Sequence, residues 1–242
     1  MNVPILHGLI ERRLLVNYRV DPEVTSLILP NPFRPKLVQG HALAGICLIR
    51  LAHVRPRGLP AWMGIGSENA AHRIAVLWNE GSHVREGVYI PRRDTSSRIN
   101  RCAGGRIFPG EHKAASFSVA ENGDCYRVQM QSHDGVTSVR VAGRRAERMP
   151  SGSVFGSVEQ ASRFFECGSV GYSDTSLANG YDALELRALR WKLEPLDVTD
   201  VASSFFEDGA RFPPNSVEFD SALLMRNIEH EWHARKGLSS AA

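Results

Sequence analysis

Lys113 is the residue of this sequence that could act most directly as a nucleophile. It is one of four lysines and follows Glu111 and His112, after a glycine-rich turn and a Pro-Gly pair. A lysine whose pKa is lowered by burial or by neighbouring cations can attack a carbonyl carbon and form a Schiff base. Phe117 shares one side of the following strand with Lys113 and favours an inward lysine, but an outward, solvated lysine stays open.

Glu68 is a second residue that could take part in chemistry. It lies between Gly66 and a strongly apolar strand. A carboxylate buried in such a place has a raised pKa, which suits it to proton transfer. The alternative is a structural glutamate that caps a turn or forms an ion pair, for instance with Arg73.

Other catalytic and binding motifs are absent from the sequence. It contains no phosphate-binding loop, no G-x-G-x-x-G and no G-x-S-x-G. His230 and His233 are three residues apart without an H-E-x-x-H pattern, so surface histidines are favoured over a metal site. The four cysteines form no C-x-x-C pair, which predicts free thiols in a reducing compartment. We therefore expect no metal and no cofactor.

Composition narrows the class of protein. The chain has 242 residues, a formal net charge of +3, 43% hydrophobic residues and 23% charged residues, as in ordinary globular proteins. Its arginines are scattered and form no dense basic stripe, so nucleic-acid binding is not expected. No window has the roughly 18 apolar residues of a membrane span, and no signal peptide is evident. We expect one cytoplasmic domain over residues 1–242.

The elements that must position these residues are mostly strands. Residues 13–20 alternate with a period of two, and residues 73–78 and 87–90 predict a hairpin. Asn-Gly and Asp-Gly turns separate three further strands, which predicts a meander over residues 115–120, 125–131 and 136–141.

Helices are few in the predicted structure. Asp21 caps a short helix that begins at Pro22, and Ser157 caps a helix over 157–165. We also expect helices over 95–102 and 198–206, a loop over 168–180, a strand over 183–193, and a final strand or helix over 219–232. The fold class is α+β with mostly antiparallel strands.

Several short motifs of the chain occur together: Arg55–Pro60, Ser67–Asn69 with Arg73, Gly87–Tyr89, Gly104–Gly110 with His112, and Ser203–Phe206. Taken together, they resemble the DUF2071 (YqjF-like) family of bacterial proteins. The family is similar to acetoacetate decarboxylase, whose fold is a large, mostly antiparallel β-barrel or cone around a hydrophobic cavity. The resemblance implies that fold here, with a few flanking helices, and a homodimer or higher homo-oligomer.

The resemblance also implies roles for particular residues. In the decarboxylase, a lysine forms a Schiff base with the keto acid, and a second lysine directly before it lowers its pKa. Lys113 lies near the place of the reactive lysine, and Glu68 lies where a family glutamate would sit. However, His112 stands before Lys113 in place of a lysine, and Glu111 would stabilise the charged amine. This departure argues against decarboxylase activity.

The sequence therefore leaves more than one function open. We favour a protein that binds a small apolar or carbonyl-bearing molecule in an internal cavity without covalent chemistry. The alternative is a Schiff-base lyase with Lys113 as nucleophile and Glu68 as acid/base. Arg73 or Arg106 would hold the substrate carboxylate, with His112 beside them. A third possibility is a scaffold whose arginine-rich loops bind a partner protein.

Overall fold

The computed structural model describes residues 4–103, 110–175 and 180–239. Alternating apolar residues form long strands in most of this part of the chain. The strands are β1 (Leu6–Val20), β2 (Arg34–Pro35), β3 (Leu37–Val38), β4 (His41–Pro56), β5 (Ile65–Glu80), β6 (His83–Thr95), β7 (Lys113–Asn122), β8 (Cys125–Ser132), β9 (Ser138–Arg145), β10 (Val170–Asp174), β11 (Gly180–Ala188), β12 (Glu194–Ser203) and β13 (Val217–Ser239). The helices are α1 (Pro22–Ile28), α2 (Arg98–Ala103) and α3 (Val158–Cys167), with a 3₁₀ turn at Ala61–Met63.

Seven of the strands close into a hydrogen-bonded ring. β13, β1, β4, β5 and β6 are antiparallel neighbours in this order. β6 then runs parallel to β10, β10 pairs with β11, and β11 returns to β13. The meander β7–β8–β9 and β12 form a second path from β6 back to β13. We call the first circuit the seven-strand ring.

The two faces of β1 belong to two different hydrophobic cores. Leu14 and Val16 lie in the first core, which also includes residues of the meander. Leu15 lies in the second core, which is covered by α3 through Ala161 and Phe165. Because side chains alternate along a strand, neighbouring residues of β1 face different surroundings.

Local signals in the sequence account for the helix starts. The Asp21 carboxylate accepts hydrogen bonds from the backbone N–H groups of Glu23 and Val24 at the start of α1. The Ser157 hydroxyl accepts from the N–H of Gln160 at the start of α3. Both caps satisfy donors that have no partner within the helix, and both predictions are confirmed. The predicted meander is confirmed as well.

Two predicted elements differ from the structure, and a third was left open. The helix expected over residues 198–206 is wrong: β12 continues to Ser203 and pairs with β9. The loop expected over 168–180 contains β10. Residues 219–232, for which the sequence left strand and helix open, lie within the strand β13. In each case pairing with a distant strand decides the conformation, which local propensity does not register. None of the helices in the described ranges is both long and apolar enough to cross a bilayer.

Candidate functional site

A cavity of about 490 Å³ lies inside the seven-strand ring. Each strand of the ring contributes to its lining, and Phe165 of α3 closes one side. The volume falls within the range of small-molecule sites. Most of the lining side chains are apolar, among them Leu6, Ile49, Leu51, Ile65, Val88, Ile90, Leu184, Leu186, Trp191 and Trp232.

Strand register places three arginines and a cysteine together on this lining. Cys47 of β4 is opposite Leu15 on β1 and opposite Ala71 on β5, and Ala71 is in turn opposite Arg93 on β6. These four residues form one row across the sheet. Arg13 lies two residues from Leu15 on β1, and Arg73 lies two residues from Ala71 on β5. Alternation therefore presents them on the same face, and all three arginines line the cavity.

The partners of the three arginines are uncharged. Arg13 donates Nε–H to the Cys47 sulfur at 3.0 Å. Arg73 donates from Nη2 to the Asn17 amide oxygen at 2.5 Å, and its buried Nε has no partner. Arg93 donates Nε–H to the Ser173 hydroxyl at 3.0 Å. Within the described ranges, none of the three forms an ion pair with a carboxylate.

Aromatic rings and backbone groups complete the surroundings of these arginines. The Arg73 guanidinium lies 4.8 Å from the Phe165 ring centroid, and Arg13 lies 6.0 Å from that of Trp191. Such cation–π contacts offset only part of the cost of removing a cation from water. A fourth arginine of the lining, Arg55, donates to the backbone carbonyls of residues 53 and 59, each at 2.7 Å.

Burial lowers the pKa of two of these arginines, but both keep their positive charge at neutral pH. Burial lowers the pKa of Arg73 to about 10, and the nearby Arg13 guanidinium acts in the same direction. Burial also lowers the pKa of Arg93 to about 10, opposed by the Cys47 sulfur and Asp182. Both stay protonated at neutral pH, so the cavity carries an excess of positive charge.

The single acidic residue of the described lining does not offset this charge. Asp94 forms an ion pair with Arg92 at 2.7 Å, and Arg92 also pairs with Asp134. A buried cation without a partner costs free energy, and proteins keep such groups mainly where a ligand supplies the opposite charge. The arrangement therefore suits an anion attached to an apolar body.

Glu68 lies outside this lining. Its carboxylate pairs with Arg12 and with Arg50, at 2.5 Å in each case, and Glu121 pairs with Arg12 at 2.5 Å. The glutamate is thus ion-paired, as one of our two interpretations expected, but its partners are Arg12 and Arg50 and not Arg73. We call these four residues the paired cluster: Arg12, Arg50, Glu68 and Glu121.

Lys113 also lies outside the cavity. Its ammonium group pairs with Glu111 at 2.8 Å, and 44% of its side chain is exposed. It lines a second pocket next to Cys102 and Asp134. The outward alternative therefore describes Lys113 better than the inward one. Arg106, the other arginine proposed for a substrate carboxylate, lies outside the described residues.

His112 separates the two pockets and lines both. Burial lowers its pKa to about 4, and the neighbouring Arg93 guanidinium adds to the effect, so the ring is neutral near pH 7. Its Nδ1 is 3.2 Å from the Gly110 carbonyl oxygen. Because a carbonyl only accepts, Nδ1 carries the proton and Nε2 is left as an acceptor.

His230 and His233 both lie on β13, but their side chains are on opposite sides of the strand. His230 is fully buried, which corrects the expectation of two surface histidines, and burial lowers its pKa to about 4. His233 bonds to Glu231 at 2.8 Å. Residues three apart in a strand face opposite sides, so the pair does not converge on one site.

Sequence reasoning missed three residues of the cavity: Arg13, Cys47 and Arg93. The sequence analysis gave none of them a role in a site. One signal in the sequence could have found them: a strand with one apolar face carries an arginine or a cysteine on its other face. For Arg13, that apolar face is Leu14, Val16 and Tyr18.

The family and the fold of this chain follow from comparison with known proteins. The chain belongs to the DUF2071 family, described as "Uncharacterized conserved protein", whose model matches residues 10–219. No curated protein sequence matches the chain significantly.

Three solved structures illustrate the likeness in fold. Acetoacetate decarboxylase from Legionella pneumophila is 11% identical, with a TM-score of 0.62, over 98% of this chain and 90% of that one. An acetoacetate decarboxylase-like enzyme from Sphingomonas wittichii is 11% identical, with a TM-score of 0.61, over 99% and 93%. The enduracididine biosynthesis enzyme MppR, complexed with the condensation product of pyruvate and imidazole 4-carboxaldehyde, is 11% identical, with a TM-score of 0.64, over 100% and 92%. The likeness shows the acetoacetate decarboxylase-like fold.

Proposed function

We propose that the protein binds a small organic carboxylate with an apolar body in the cavity, without covalent capture by lysine. One observation carries the proposal: Arg13, Arg73 and Arg93 line a mostly apolar cavity, and their hydrogen-bond partners among the described residues are uncharged. A carboxylate would supply the missing negative charge and accept forked hydrogen bonds from a guanidinium. The apolar walls would bury the rest of the molecule.

The Schiff-base alternative has less support. It requires an amine in the cavity, and the four lysines of the chain (Lys36, Lys113, Lys192 and Lys236) are all absent from its lining. A similar structure is that of MppR complexed with pyruvate, a small carboxylate. That complex supports the class of ligand proposed here, while the chemistry of this chain follows from its own residues.

Calorimetric titration with a matched pair of ligands tests the proposal. Hexanoate and hexanamide have the same apolar chain, but only hexanoate is an anion near pH 7. We expect hexanoate to bind measurably and at least tenfold more tightly than hexanamide, because a hydrogen bond to a charged group contributes about 1.5–3 kcal/mol. Pyruvate is the third ligand and reports how much of the affinity comes from the apolar chain.

Substitution of the cavity arginines tests the same proposal from the side of the protein. Arg73→Met and Arg93→Met should each weaken hexanoate binding at least tenfold and leave hexanamide binding nearly unchanged. Arg140→Met is the matched control, because Arg140 pairs with Asp200 on the surface and is 51% exposed. Equal affinity for hexanoate and hexanamide, or full hexanoate binding by Arg73→Met, would rule the proposal out.

The cytoplasmic location and the homo-oligomer suggested by the sequence stay predictions. Light scattering of the purified protein after size-exclusion chromatography tests the second. A mass of twice 26.8 kDa would support a homodimer, and a mass of 26.8 kDa would contradict it.

A further inference from the structure

We propose that Cys47 is a nucleophile of the cavity and that it adds to electrophilic organic carboxylates. The candidate substrate class is the α,β-unsaturated carbonyl compounds that carry a carboxylate. The inference rests on the proposed function, because the same arginines would hold that carboxylate beside the sulfur.

The position of Cys47 allows a molecule in the cavity to reach its sulfur. Its side chain lines the cavity, although the residue is only 7% exposed. The cross-strand neighbour on β5 is Ala71, whose small side chain leaves space between Cys47 and Arg93 in the same row. A molecule in the cavity would therefore meet the sulfur between the guanidinium groups.

Arg73 is a second and independent sign that this part of the cavity takes a ligand. Only 4% of Arg73 is exposed, it lines the same cavity, and its Nε has no hydrogen-bond partner. A buried donor without a partner costs about 1–3 kcal/mol, which an acceptor on a bound ligand would recover. The unpartnered donor and the sulfur thus serve one bound molecule.

Three guanidinium groups lie close to the Cys47 sulfur. Arg13 donates Nε–H to the sulfur at 3.0 Å. The sulfur in turn acts on the pKa of both Arg73 and Arg93, so all three cations are within electrostatic range. The same guanidinium groups would hold the carboxylate of a substrate next to the sulfur.

The addition step balances without any further reactant except water. The Cys47 sulfur forms a bond to the β-carbon, and the electrons of the carbon–carbon double bond move to the carbonyl oxygen to give an enolate. The α-carbon then takes a proton from water, and the proton released by the thiol returns to solvent. The net reaction adds the thiol across the double bond.

Competitive alkylation tests whether Cys47 has this reactivity. Iodoacetate and iodoacetamide react with a thiol in the same way: a carbon–sulfur bond forms and iodide leaves. They differ in that only iodoacetate has a carboxylate. The chain contains internal references, because Cys102, Cys125 and Cys167 are exposed. Peptide mass spectrometry gives the rate for each cysteine separately.

We expect the ratio of the iodoacetate rate to the iodoacetamide rate to be at least tenfold higher at Cys47 than at the three exposed cysteines. Arg13→Met should lower the ratio at Cys47, whereas Arg140→Met should not. The same reaction with 3-benzoylacrylate, an unsaturated carbonyl compound with a carboxylate, should give a Cys47 adduct with the mass of simple addition. Saturating hexanoate should slow the reactions at Cys47 only.

The outcomes separate this inference from the proposed function. If hexanoate binds but Cys47 stays unmodified in the folded protein, or shows the same ratio as the exposed cysteines, the inference is overturned and the proposed function stands. If hexanoate does not bind but the ratio at Cys47 is high, the proposed carboxylate-binding function fails while the nucleophile is supported.

Discussion

Arg12 and Arg13 are neighbours on β1, yet they lie in opposite electrostatic surroundings. Arg12 is 1% exposed and contacts the carboxylates of Glu68 and Glu121 in the paired cluster. Arg13 faces the cavity, where it contacts the sulfur of Cys47. The same residue type therefore serves two purposes on the two faces of one strand.

This contrast shows how an arginine that stabilises the fold differs from an arginine that is available to bind a ligand. In the paired cluster, each charge is neutralised by the protein itself, and the cluster connects β1, β4, β5 and β7. In the described part of the cavity lining, Arg13, Arg73 and Arg93 form no ion pair with a carboxylate, and Asp94 pairs with Arg92. A buried charge that the chain leaves uncompensated indicates where a charged ligand belongs.

Removal of Arg12 should give the largest loss of stability. Arg12→Met leaves Glu68 and Glu121 without their buried partner, and breaking a buried ion pair in this way costs about 3–5 kcal/mol. Urea denaturation monitored by circular dichroism measures the free energy of unfolding. The control is Arg140→Met, which removes a surface ion pair and should cost at most about 1 kcal/mol. Equal stability of the two variants would contradict the assignment of a structural cluster.

Acidification should cause an intermediate loss of stability, because the buried His72 cannot take up a proton in the folded protein. His72 is fully buried and stacks on Phe205 at 4.5 Å. Burial lowers its pKa to about 3, and Arg92 and Arg211 add to the effect. The unfolded chain takes up the proton near pH 6.5 and the folded chain does not. Stability is therefore complete above about pH 6.5 and falls as the pH decreases towards 3.

Comparison with His72→Phe isolates this contribution. Between pH 7 and pH 5, the wild-type protein should lose about 2 kcal/mol more of its free energy of unfolding than the variant, since each pH unit below 6.5 contributes up to about 1.4 kcal/mol. His112 and His230 add the same acid sensitivity to both proteins. Urea titrations at the two pH values measure the difference, and identical pH dependence would show that His72 takes up a proton within the fold.

Removal of a cavity arginine should have the smallest effect on stability. Arg73→Met loses one hydrogen bond to Asn17 but also removes an unpaired buried cation, so we expect the free energy of unfolding to change by less than about 1 kcal/mol. At one fixed concentration, hexanoate should raise the melting temperature of the wild-type protein more than that of Arg73→Met. A loss as large as that of Arg12→Met would make Arg73 a structural residue and remove the contrast between the two faces.

Much of the fold could be predicted because local rules decide it. The Asn-Gly and Asp-Gly turns determine the β7–β8–β9 meander, and Asp21 and Ser157 determine two helix starts. The region at residues 198–206 could not be predicted in this way, since β9 supplies the partner that makes it a strand. The candidate site was predicted only in part: Arg73 and His112 line the cavity, whereas Lys113 and Glu68 do not.

By itself, the sequence determined the alternation that sends Arg12 and Arg13 to opposite faces, and the motifs that identify the family. Only the tertiary structure decided which face contains carboxylates. That depends on the register among β1, β4, β5 and β6, which joins residues more than twenty positions apart in the chain. Electrostatic free energy depends on distances between charges, and strand pairing sets those distances.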